Sequence, residues 1–181
     1  MRPLVVDASA ALAIALDEPE GPRVREVITR RRAPIVPWLF WTEVVNTLSR
    51  RRHWPASQVL AAVIALEGFG LRTQAPDRPA LLGVIDAAET HGLSAYDATY
   101  LVLAETNDAE LLTGSAALAA AAGERAIHIG SRHRLAEEVA RYDARPQAQP
   151  DWPNWPGAVA YLAELRRELD RPRRAERTAA D

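Results

Sequence analysis

The 181-residue sequence contains no cysteine, which removes disulfides, thiolate nucleophiles and cysteine-based zinc sites together. It also contains no lysine: all 22 basic side chains are arginine, whose fixed charge serves neither as a Schiff-base amine nor as a titrating base. The phosphate-loop motif is excluded with the lysine, and no glycine-rich phosphate loop replaces it. Aspartyl-phosphate chemistry, which generally places a lysine near the acid, loses support for the same reason. Long apolar runs are missing too. Nothing approaches the roughly 18 uninterrupted residues of a membrane span, and the N-terminal apolar stretch breaks at Asp7 without a signal-peptide hydrophobic region. The expectation is therefore a cytoplasmic protein with no membrane partner. A net charge of −2 is no polycation, so any nucleic-acid contact has to come from local arginine clusters. His53, His91, His128 and His133 are scattered without ligand spacing and are assigned no chemistry.

Hydrophobic residues make up 48% of the chain, enough for one domain core plus an appendage. The run Leu4-Val5-Val6 reads as a buried strand that ends in the carboxylate of Asp7 and turns into Ala-rich helical sequence. Further strands are predicted at Ile35-Val36, 71–74, 110–113 and 126–129. Helices are predicted over 8–16, 22–32, from Pro37 to Arg52, 55–69, 79–91, from Ser94 and over 116–122. The helix from Pro37 carries Trp38, Phe40, Trp41, Val44, Val45 and Leu48 as its apolar face. The helix over 79–91 turns Leu81, Leu82, Ile85 and Ala88 inward and stops at Gly92. Strands alternating with helices imply an α/β fold with a central parallel sheet between helical layers. The expected division is a domain over 1–130 and an extension over 131–181, made of a Trp152/Trp155 linker, an amphipathic helix from Gly157 and a charged end.

Three acids occupy comparable positions: Asp7 at a strand end, Glu43 in an aromatic-rich helix, and Asp97 in the first turn of the helix capped by Ser94. Each has an ordinary explanation. Asp7 alone reads first as a helix N-cap, Glu43 as a solvated face residue, and Asp97 as a charge placed at the positive helix end. Together they read differently. Glu43 lies between Phe40 and Val44, so burial is expected, and a buried acid without a compensating cation is costly. Oxygen ligands with no His or Cys among them suit Mg2+ or Mn2+.

Val5-Val6-Asp7-Ala8-Ser9, Glu43-Val44-Val45-Asn46-Thr47-Leu48 and Leu93-Ser94-Ala95-Tyr96-Asp97-Ala98, in this order and spacing, resemble the PIN domain, in particular the VapC-type toxins of toxin–antitoxin pairs. The resemblance covers about Met1 to Ile129. It implies a PIN-like three-layer α/β/α fold, here with a C-terminal helical extension. It also implies a Mg2+- or Mn2+-dependent endoribonuclease, often a homodimer, held in check by a cognate antitoxin and leaving 5′-phosphate and 3′-hydroxyl ends on its RNA substrate. Asp7, Glu43 and Asp97 match the family's metal-binding, catalytic acids. Ser9 and Asn46 match polar residues that support the site, and Asn46, one turn after Glu43, can share its cleft. Where the family often has a fourth acid in a Thr-x-Asp pattern, this chain has Thr113-Gly114-Ser115. Ser115 brings no charge, which favours a one-metal or substrate-assisted site. Arg50, Arg51 and Arg52 leave the Glu43 helix as candidate phosphate contacts, and equally as a solvated helix end. The alternative to cleavage is a PIN-fold module that binds RNA or protein without cutting it.

Overall fold

The structure, a computed structural model, describes residues 2–130. The extension expected over 131–181, including His133, Trp152, Trp155 and the helix from Gly157, lies outside the described residues. Strand β1 (Leu4–Val6) is buried along its whole length, as an uninterrupted aliphatic triplet requires. Helices α1 (Ala8–Ala15) and α2 (Gly21–Thr29) follow, then β2 (Ile35–Pro37), α3 (Leu39–Asn46), α4 (Ala56–Glu67) and β3 (Arg72–Gln74). The second half is built from α5 (Arg78–His91), α6 (Ala95–Thr106), β4 (Glu110–Thr113), α7 (Ala116–Ala122) and β5 (Ala126–His128). Ser94 caps α6 and Gly92 closes α5 in the left-handed region at φ 63°, as the sequence predicts.

All five strands are parallel, in the order β3-β2-β1-β4-β5. The chain steps outward from β1 to β2 and β3, then crosses back to β4 on the other side of β1. Right-handed crossovers place α1 to α4 on one face and α5 to α7 on the other, which is the three-layer α/β/α arrangement. The reversal of direction between β1 and β4 opens a crevice at their carboxyl ends, where open α/β sheets bind ligands. Val6 pairs with Leu112, and the Asp7 N–H donates to the Leu112 carbonyl at 2.9 Å. Asp7 and Thr113 therefore leave the sheet side by side at that crevice.

Several elements differ from expectation, each for a local reason. Pro37 is the last residue of β2 and opens no helix; a strand end tolerates the missing N–H. Helix α2 stops at Thr29, before Arg31, which instead bonds Glu110 at 2.6 Å. After Asn46 the helix carrying Glu43 widens into a π-helical turn over Thr47–Arg51, with the Arg52 N–H on the Thr47 carbonyl at 3.1 Å. On α5, Leu81 and Ile85 are half exposed at 51% and 50%, while Val84 and Ala87 are buried. The face of α5 that meets α6 is made of small residues. A Cβ on Gly83 would come to 3.2 Å from the Val102 side chain, so close packing of the two helices selects this side and leaves the larger aliphatics outside.

Leu112→Ala, which empties a fully buried site in β4, is expected to cost about 2–5 kcal/mol, whereas Leu81→Ala stays within about 1 kcal/mol. Urea denaturation of the two variants measures this difference, and a comparable loss for Leu81→Ala would restore the inward orientation.

Candidate active site

Asp7 occupies the N-cap position of α1 with extended dihedrals of φ −77° and ψ 147°, yet its side chain makes no capping bond. The carboxylate is engaged elsewhere. Thr113 donates its hydroxyl to Oδ2 at 2.6 Å, and Ser9 donates to the same oxygen. Each hydroxyl also accepts a backbone N–H from the loop after β4: Gly114 to Ser9 Oγ at 2.8 Å and Ser115 to Thr113 Oγ1 at 2.9 Å. The loop amides thus orient both hydroxyls, and their protons point at Asp7. The approach is close at Gly114, where a Cβ would lie 3.2 Å from Ser9 Oγ and push one of the two aside by a few tenths of an ångström. Burial raises the Asp7 pKa most strongly, the Ser9 and Thr113 bonds oppose it, and Asp97 raises it further.

Asp97 sits in the first turn of α6 in a reciprocal cap. Its N–H donates to Ser94 Oγ at 3.1 Å, and Ser94 Oγ donates to its Oδ2 at 2.9 Å. Burial raises its pKa and the Ser94 bond lowers it. Glu43, half-buried on α3, is raised from its ordinary 4.5 to about 7, first by burial and then by Asp7 and Asp97, against the opposing bond from Tyr100. That bond, from the Tyr100 hydroxyl to Oε2, is 2.5 Å long. Tyr100 is a member of the site that sequence reasoning missed. Its signal was its spacing, three residues after Asp97 on one helix face.

Asp97 raises the pKa of Asp7, and both raise that of Glu43, while among the described residues no arginine pairs with any of the three. Among the described residues, ion pairs join Arg2 and Arg125 to Asp108, Arg31 to Glu110, Arg30 to Glu26 and Arg52 to Glu18. Asp108 and Glu110 stand at the amino edge of the sheet, opposite the acids. The donor set at the carboxyl edge is all oxygen, three acids with the hydroxyls of Ser9 and Thr113, which fits a hard divalent cation. Among the described residues no three His, Cys, Asp or Glu converge as a ready-made cage. Mg2+ does not require one, because it keeps several waters and takes one or two carboxylates.

The other expected residues divide. Ser9 and Thr113 stand at the site. Ser115 accepts from Leu118 N–H at 3.3 Å as the N-cap of α7, while its own N–H orients Thr113. Asn46 is exposed and makes no side-chain hydrogen bond among the described residues. Arg50, Arg51 and Arg52 lie at the far end of the helix, roughly 10 Å beyond Glu43 at the α-helical rise, and Arg52 reaches Glu18 at 3.8 Å.

The chain matches the PIN domain family over residues 4–124. It belongs to that family. PIN domains are in general nucleases that bind nucleic acids and typically use divalent metals. No curated protein matches the chain. Among solved structures it is similar to the crystal structure of PAE2754 from Pyrobaculum aerophilum, with a TM-score of 0.54 and 24% identity, over 80% of this chain and 91% of that one. At that identity the likeness concerns the PIN fold alone. No helix of the described residues is long and apolar enough to cross a membrane.

The raised acids give this PIN domain a pH dependence of known sign. Folded Glu43 keeps its proton to about pH 7, while the unfolded chain releases it near 4.5. The folded state binds more protons in that window, so metal-free stability falls as pH rises through it. Glu43→Gln is expected to flatten this slope and raise the thermal midpoint at pH 8 by roughly 2–5 °C. Calorimetry in EDTA checks it, and an unchanged slope would place the titration elsewhere.

Proposed function

We propose that the chain is a Mg2+- or Mn2+-dependent endoribonuclease, the toxin of a toxin–antitoxin pair, whose catalytic residues are Asp7, Glu43 and Asp97. The observation that carries the reading is a trio of acids at the β1/β4 crevice of a PIN domain, without a basic partner among the described residues. A bound divalent cation would supply Lewis-acid stabilisation of the phosphodiester and lower the pKa of the attacking water. Asp7, held by Ser9 and Thr113, and Asp97, held by Ser94, present fixed carboxylate oxygens to that cation. Glu43 adds a third carboxylate to the group that would hold the cation. Half-exposed Glu43 and Asp97 leave the site open on the side where a polymer enters. Arg50, Arg51 and Arg52 would meet the RNA backbone at a distance from the scissile bond. A cognate antitoxin, a homodimer and a cytoplasmic location belong to this reading.

One observation favours a second reading, a non-cleaving PIN module: the fourth acidic position is Ser115, and its hydroxyl serves α7 as a cap. Purified full-length protein with structured RNA and Mn2+ separates the two. Cleavage abolished by EDTA and reduced at least about 100-fold by Asp7→Asn or Asp97→Asn is the expected result. Cleavage that survives either substitution sinks the nuclease assignment, and RNA retention without any cleavage supports the second reading.

A further inference from the structure

Tyr100 is a buried polar side chain at the crevice that no part of the proposed chemistry uses. It is 1% exposed, among the largest fully buried side chains of the domain. Its hydroxyl donates to Glu43 Oε2 at 2.5 Å, across 57 positions of sequence. The backbone amide of Ala8, next to Asp7, acts on the same phenolic oxygen, and Asp7 and Glu43 both act on it through their charge. Three segments that bring acids to the crevice therefore meet at one hydroxyl: the start of α1, the middle of α3 and, through its own backbone, the first half of α6.

We infer that Tyr100 is a positioning residue that holds the Glu43 carboxylate in the orientation in which it accepts a divalent cation. This rests on the metal-dependent reading above. Glu43 has no basic partner among the described residues, and α3 loses its regular α-helical bonding just beyond it, at Thr47. Without the tyrosine, nothing described fixes the rotamer of this acid, whereas Asp7 and Asp97 are each held by hydroxyls near them in the fold. An ordinary phenol is protonated at neutral pH, and the geometry makes this one the donor to Glu43. Its single proton goes to Oε2, which leaves Oε1 for the cation. Buried partners that orient a metal ligand typically change affinity by about 10–100-fold when removed.

The experiment is a double-mutant cycle on Mn2+ binding, read by isothermal titration of the full-length protein, with Tyr100→Phe, Glu43→Gln and the pair. Phenylalanine preserves the ring and its packing, and circular dichroism with a thermal midpoint in EDTA confirms the fold. The expected result is a Kd for Mn2+ raised about 10-fold in Tyr100→Phe, with no further rise when Tyr100→Phe is added to Glu43→Gln. Wild-type affinity in Tyr100→Phe overturns the inference, as does an equal loss in both backgrounds, which marks a merely structural role. If the wild type binds no Mn2+, the inference falls with it. If the wild type binds Mn2+ and leaves RNA intact, the ribonuclease reading falls while the cycle still decides the role of Tyr100.

Discussion

The hydrogen bond from the Asp7 amide to the Leu112 carbonyl, 2.9 Å, is the constraint on which the crevice depends. It carries the β1/β4 ladder one residue beyond β1 and so aligns Asp7 with Thr113. Because the side-chain period of a strand is two, a slip by one residue would turn Asp7 toward the opposite helical layer. Register here is protected by aliphatic burial: Val5, Val6, Leu111 and Leu112 are all inaccessible to solvent. The position of a charged group is thus enforced by uncharged ones. Asp7 persists at 5% exposure because two hydroxyls and a crevice offset part of its desolvation.

Much of this was legible in the sequence, and the legible part has a common cause. Aliphatic triplets flanked by Pro, Gly and capping residues determine strands and helix ends locally, so the α/β alternation and the Ser94 and Gly92 caps needed no tertiary information. What escaped depends on contacts distant in sequence. The inward face of α5 is chosen by Val102 on α6, which penalises bulk at Gly83, and the hydrophobicity of Leu81 and Ile85 carries no trace of that choice. Tyr100 escaped because an aromatic among Ala98, Leu101 and Val102 looks like core; only the arrival of Glu43 from α3 gives its hydroxyl a purpose.

Charge is sorted along the strand direction. The ion pairs of Asp108 and Glu110 gather at the amino ends of the strands, and the arginines that complete them are thereby kept from the acids at the other edge. A net charge of −2 hides an edge where three acids gather without a basic partner among the described residues.

The two sides of the crevice are anchored by different means. The Asp7 amide belongs to the central ladder, so the backbone of the sheet itself fixes where this acid stands. Glu43 rides on an eight-residue helix that continues into the π-helical turn over Thr47–Arg51, and what ties it to the domain is side-chain packing, through fully buried Phe40, Val44 and Leu48, together with the bond from Tyr100. One wall of the pocket is written in main-chain register and the other in the fit of side chains, so core substitutions reach Glu43 before they reach Asp7.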